Sequence, residues 1–144
     1  MGRRNSEDPR STEAQAQSRM NGVTFDAGAL IALDRSDRRV IALLARMTEV
    51  GARITVPATA LAQAIRSPTR QARLARLLRQ PQTAVVALDG THATQVGLLL
   101  AASRTTDIAD AHVVICARGH AGPIVTSDPE DLARLDPGAH LIVL

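Results

Sequence analysis

Four aspartates, far apart in the chain, fall where carboxylates could do chemistry together. Asp26 closes the short apolar run Val23-Thr24-Phe25 and is followed by Ala27-Gly28-Ala29, small residues that leave room beside it. Asp128 closes a second such run, Ile124-Val125-Thr126-Ser127. Asp107 and Asp110 stand three apart at the start of an apolar-periodic stretch, so both project from one side of a helix's first turn. Each has a plainer use: Asp107 and Asp128 as helix caps, Asp110 as a first-turn acid answering the helix dipole. Asp26 is harder to dismiss, because a carboxylate at the end of a buried strand is costly without a partner. Carboxylates crowded into one site repel one another, and a hard divalent cation with oxygen ligands is the ordinary way to stabilise them. Magnesium or manganese fits, since no Cys/His spacing suggests zinc. Such an ion can activate water and neutralise charge building on a phosphate, which makes phosphodiester hydrolysis the natural chemistry.

The elements that must bring these acids together alternate along the chain. Strands are expected at Val23–Asp26, Arg53–Val56, Thr83–Leu88, Pro123–Ser127 and His140–Leu144. Between them lie helical stretches at Ala27–Leu33, Asp37–Val50, Pro57–Arg66, Thr69–Gln80, Thr91–Ser103, Asp107–Arg118 and Pro129–Leu135. Gly51 stops the second helix and Pro57 opens the third at its first position. Strands alternating with helices imply a parallel sheet of four to five strands covered on both faces, an α/β three-layer sandwich. Ligands of such sheets gather at the carboxyl ends of the strands, near the switch in strand order. Asp26 and Asp128 fall there.

Composition narrows the function further. A chain of 144 residues, 45% of them apolar, closes one hydrophobic core as one domain over residues 22–144. Residues 1–21 are polar and read as a disordered leader, and translation starts at either Met1 or Met20. With one Phe and no Tyr or Trp, aromatic platforms for stacking bases are excluded. All 17 basic residues are arginine, and the absence of lysine excludes P-loop, Schiff-base and kinase chemistry. It also excludes phospho-accepting receiver domains, which share the sheet and the acidic cluster but need a lysine beside it.

Charge is divided. Residues 50–90 carry six arginines against Asp89, a net of +5, whereas residues 91–144 carry three against six acids, a net of −3. That asymmetry suits a polyanion drawn towards a metal-charged acidic site, and equally a solvated arginine face on one helix. Arg66, Arg70 and Arg73 are the candidates for phosphate contacts. Cys116 reads as a small core residue, and one cysteine fits a reducing compartment. No apolar run is long enough to span a membrane and no signal segment is visible, so a cytoplasmic location is expected.

Four segments resemble the motifs of PIN domains, in the family's order. Val-Thr-Phe-Asp26-Ala-Gly-Ala-Leu-Ile-Ala-Leu is similar to the first and Thr-Val-Pro57-Ala-Thr-Ala-Leu-Ala-Gln63 to the second. Thr-Thr-Asp107-Ile-Ala-Asp110-Ala-His resembles the third and Val-Thr-Ser-Asp128-Pro the fourth, so the likeness covers roughly residues 23–144. The resemblance implies a PIN-like fold and a magnesium- or manganese-dependent ribonuclease, most often the VapC-like toxin of a toxin–antitoxin pair. By that likeness Asp26, Asp110 and Asp128 are metal ligands, with Asp107 a ligand or support. Ser127 and Thr126 bond water or substrate phosphate. A homodimer is implied, and an antitoxin that lays an apolar helix in a groove and blocks the site.

One residue departs from the pattern. Gln63 stands where the family usually has glutamate, and it brings neither negative charge nor a base. Two readings stay open: a ribonuclease that works with fewer carboxylates, or a weakened PIN-like module that binds RNA or a protein partner without cleaving. His112 shares a helix with Asp110 but points roughly 200° away from it, and reads as structural or interfacial. Asp34 and Asp131 read as surface acids.

Overall fold

The computed structural model describes residues 22–144. The leader expected at residues 1–21 lies outside the described residues. Five strands form one all-parallel sheet: β1 (Gly22–Phe25), β2 (Arg53–Pro57), β3 (Thr83–Val86), β4 (Ile124–Thr126) and β5 (Leu141–Val143). Their spatial order is β3-β2-β1-β4-β5. Seven helices flank it: α1 (Ala27–Asp34), α2 (Arg38–Glu49), α3 (Ala58–Ala64), α4 (Ala72–Arg79), α5 (Gly90–Ser103), α6 (Ile108–His120) and α7 (Pro129–Leu135).

The strand order explains the layering. The chain walks outward from β1 to β3, jumps back across the sheet to β4, then walks the other way to β5. With right-handed crossovers, reversing the direction of travel moves the helices to the opposite face. Contacts agree: α1 packs with α2 and α4, while α5, α6 and α7 pack with one another. Helix α3 touches both α1 and α6, so it crosses over the end of the sheet. This is the three-layer α/β sandwich expected from the alternation.

The central strands are apolar and buried on both faces: Val23, Phe25, Ile54, Val56, Ile124 and Val125 are all 2% exposed or less. Helix α6 is the most deeply buried helix, with every residue from Ala109 to Ala117 buried except Asp110.

Several boundaries differ from the sequence expectation, each for a local reason. Pro57 is the last residue of β2, paired with Val86, and serves as the N-cap of α3 rather than its first residue. The single helix expected over Thr69–Gln80 is a 3-10 turn, Pro68–Arg70, followed by α4. Between the two, the buried Gln71 side chain accepts from the Arg66 and Ser67 amides and donates to the Ala64 carbonyl. A side chain can satisfy three backbone groups only from a broken helix. Gly51, at φ +65°, stops α2 as expected.

Candidate metal centre

The reversal in strand order falls between β1 and β4, and both strands deliver an aspartate there. Phe25 pairs with Val125, and the Asp26 amide donates to the Val125 carbonyl at 3.2 Å. Asp26 is therefore level with Thr126 across the crevice, and Asp128 lies two residues beyond.

Asp26 is 3% exposed. Its Oδ1 accepts from the Ala29 amide at 2.8 Å, which makes it the N-cap of α1. Burial pushes its carboxyl above the ordinary aspartate range, and nearby Asp128 adds to the rise. The Thr126 hydroxyl and the Ala29 and Gly28 amides pull the other way. Thr126 works in two directions, since its Oγ1 also accepts from the Asp128 amide at 2.9 Å. It is completely buried, so it cannot touch an RNA phosphate. Its hydroxyl instead braces the Asp26 carboxylate and the Asp128 backbone amide.

Ser127 is exposed and packs on the Cα of Gly28, so closely that any Cβ there would collide with its hydroxyl. The small residue after Asp26 thus seats the Ser127 hydroxyl beside the Asp26 carboxylate.

The third motif enters from α6. Asp107 is its N-cap, with Oδ1 accepting from the Asp110 amide at 2.9 Å. Asp110 is raised from 3.8 to about 7, first by desolvation and then by Asp107, with Asp26 and Asp131 contributing. Asp110 and Asp26 therefore share one electrostatic neighbourhood.

Asp128 heads α7 but makes no side-chain cap bond. Its carboxylate instead meets Asp131, whose pKa it raises, with Asp107 adding to the effect. Asp131 lies on the surface as expected, within 3.9 Å of Arg134, and it also pairs with Asp128. Asp128–Asp131 repeats the three-residue spacing of Asp107–Asp110, a signal present in the sequence.

Five carboxylates thus surround the crevice as two pairs and a single. Among the described residues no three of them bring oxygens within 4.8 Å of one another. A magnesium-like ion does not need three carboxylates in direct contact, since it is usually held by one or two and reaches the rest through its waters. The raised pKa values of Asp26 and Asp110 come first from burial and then from neighbouring acids, and a bound cation would offset both penalties on the charged form.

The remaining candidates are more dispersed. Gln63 lines a shallow groove with Thr59, Thr106, Asp107 and Ile108, next to the acids but contributing no charge. The Arg66 guanidinium folds back onto the Ala62 and Ile65 carbonyls, at 3.3 and 2.7 Å, and so caps the end of α3. Arg73 lines a different groove with Leu33, Ile41, Leu44 and Leu77. Arg70 is exposed on the 3-10 turn. The structure does not gather the three arginines at the acids.

Comparison with known proteins agrees with this geometry. The match to the PIN domain family model spans residues 23–137. A solved VapBC2 complex from Rickettsia felis, bound to a DNA fragment from its promoter, contains a chain of the same fold. The TM-score is 0.60 at 12% identity, covering 85% of this chain and 98% of that one. No curated protein matches the chain. Four motifs in family order, three of them acidic, a parallel sheet that carries the acids to one crevice, and a family match over most of the length agree: this chain belongs to the PIN domain family.

Proposed function

We propose that this PIN domain is a magnesium- or manganese-dependent endoribonuclease, the toxin of a toxin–antitoxin pair. PIN domains are generally divalent-metal-dependent nucleases. The observation that carries the reading is Asp110, a carboxylate raised to about 7 at the exposed end of an otherwise buried helix, facing Asp26 across the crevice.

Asp26, Asp110 and Asp128 are the residues that would hold the ion, with Asp107 and Asp131 supporting their partners. A bound divalent cation supplies positive charge to a phosphate and makes water a better nucleophile. The chain's own residues do the positioning. Thr126 and the α1 amides fix Asp26 in one rotamer. The Ser127 hydroxyl, held by Gly28, can donate to a phosphate oxygen at the crevice mouth. Above pH 7 Asp110 is largely ionised and ready for a cation; below it the carboxyl is protonated and binding weakens.

A cognate antitoxin is the proposed protein partner. The support is the fold shared with a chain of the VapBC2 complex. The groove between α1, α2 and α4, lined by Leu33, Ile41, Leu44 and Leu77 and rimmed by Arg73, Arg76 and Gln80, is the candidate seat for an amphipathic partner segment. A homodimer and a cytoplasmic setting remain part of the proposal. Among the described residues, no helix is long and apolar enough to cross a membrane.

Gln63 favours a second reading, a module that binds RNA or a partner without cleaving, because the groove beside Asp107 lacks the charge that a glutamate would bring. One experiment separates the two. Purified protein is titrated with Mg²⁺ and Mn²⁺ against a mixed RNA substrate, with Asp26→Asn as control. Cleavage that needs metal and vanishes in the variant supports the nuclease. RNA retention without cleavage at every metal concentration supports the binding module, and cleavage undiminished in EDTA refutes metal dependence.

A further inference from the structure

Helices α5 and α6 pack side by side, and at their contact lies a cluster that the acidic site does not use. His92 Nδ1 stands 3.0 Å from His112 Nε2, with ring centroids 5.2 Å apart at 75°. Cys116 is one turn along α6 from His112, on the same face. The two imidazole nitrogens and the Cys116 sulfur all lie within 4.8 Å of one another.

We propose that His92, His112 and Cys116 form a second metal site, one that takes a soft divalent cation of the zinc class and fastens α5 to α6. Zinc–nitrogen and zinc–sulfur bonds of about 2.0–2.3 Å place tetrahedral ligands roughly 3.3–3.8 Å apart, a separation these atoms reach with small side-chain movements. An N₂S donor set prefers zinc to magnesium. The absence of a Cys/His motif in the sequence is no obstacle, because His92 arrives from a different helix.

The surroundings fit as well. Metal-bound histidines usually donate their second nitrogen to a fixed acceptor. His112 Nδ1 hydrogen-bonds the Thr59 hydroxyl at 2.8 Å, so the nitrogen turned towards His92 is Nε2, whose hydrogen bond to His92 Nδ1 the ion would replace. His112 and Cys116 are 0% and 2% exposed, while His92 is half-buried and offers the way in from solvent. Burial pushes the Cys116 thiol up to about 11, so without a metal it stays neutral. Binding displaces that proton, and each ion taken up releases one. His112 points away from Asp110 around α6, so the two centres are separate.

The test uses the full chain, stripped with EDTA and kept in saturating Mg²⁺ so that hard-ion sites are filled. Co²⁺ is then added as the spectroscopic stand-in for zinc. Expected is one equivalent bound with a thiolate-to-cobalt charge-transfer band, release of one proton, displacement by Zn²⁺ and a raised Tm. Cys116→Ser should lose the band. Its absence in the parent protein, or its persistence in Cys116→Ser, overturns the proposal. Should Cys116→Ser fail to fold, His92→Gln at the half-buried position decides. Losing a direct ligand should weaken Co²⁺ binding by more than the roughly 10–100-fold typical of an outer partner, and unchanged affinity overturns the site.

Discussion

Asp110→Asn is a substitution for which the structure sets opposite outcomes with and without metal. In the folded chain the Asp110 carboxyl is raised from 3.8 to about 7, so the folded state keeps a proton that the unfolded state has released. Stability contributed at this position is therefore highest at low pH, falls as pH rises from about 4 to about 7, and then levels off. A tenfold change in proton affinity corresponds to about 1.4 kcal/mol, which sets a ceiling of roughly 4 kcal/mol of strain in the ionised protein. Asp110 is only half-buried, and water screening reduces the sum to about 1–2 kcal/mol. Against this, a carboxylate in the first turn of α6 gains about 0.3–1 kcal/mol from the helix dipole. Asparagine keeps the hydrogen-bond donor that protonated Asp110 offers to Asp107 and removes the charge. In EDTA near pH 8 the variant should thus be more stable by about 1 kcal/mol, a Tm gain of roughly 4 °C for a domain of this size. The gain should disappear near pH 4. Adding Mn²⁺ should raise the melting temperature of the parent and leave the variant unmoved, reversing their order. Paired thermal melts at both pH values, with and without metal, check each step. A variant that melts below the parent in EDTA near pH 8 would refute the reasoning, because Asp110 would then not be under repulsion.

Three further substitutions probe the same crevice. Gln63→Glu adds a carboxylate beside Asp107, and isothermal titration should show Mn²⁺ affinity rising about tenfold, equivalent to about 1.4 kcal/mol; unchanged affinity would place position 63 outside the ion's reach. Thr126→Val keeps the shape but removes the hydroxyl under Asp26 and Asp128. It should cost about 1–3 kcal/mol in denaturant melts for the amide left unsatisfied, and should lower metal affinity as well. Asp131→Asn removes the partner that pairs with Asp128, and should lower metal affinity while leaving stability in EDTA equal or higher; an affinity equal to the parent's would return Asp131 to the role of a surface acid.

Much of this crevice is legible without coordinates, because parallel α/β topology dictates where strand ends lie. Asp26 and Asp128 each end an apolar run, and adjacent parallel strands bring such ends together whatever the sequence between them. Asp131 escapes the sequence for a reason of scale. On a short helix beside Glu130 it resembles any solvent-facing acid, and only the fold brings Asp128 and Asp131 up against the Asp107–Asp110 pair. The arginines escape differently. A run of like charge predicts a basic face but not where each long side chain goes, and Arg66 goes to its own helix's last carbonyls. Thr126 and Ser127 part company at the strand end, since Thr126 is the last residue of a strand buried on both faces and Ser127 the first residue beyond it. His92 is invisible to local spacing, because its partners lie on the next helix.

The plain and the functional uses of these acids turn out to be compatible. Asp26 caps α1, Asp107 caps α6, and Asp128 stands at the cap position of α7. Helices α1 and α7 follow strands and so begin at the strands' carboxyl ends, and α6 brings its first turn to the same place, where Asp110 senses Asp26, so the positive ends of three helix dipoles meet there. Those dipoles offset part of the repulsion among five carboxylates and let the chain assemble them before any cation arrives. Asparagine is as good an N-cap as aspartate. Asp26→Asn and Asp107→Asn therefore keep their helix starts while losing charge, and a loss of metal binding or cleavage in either can be read as chemistry rather than misfolding. Unfolding of both variants in EDTA would show that the caps need the charge itself.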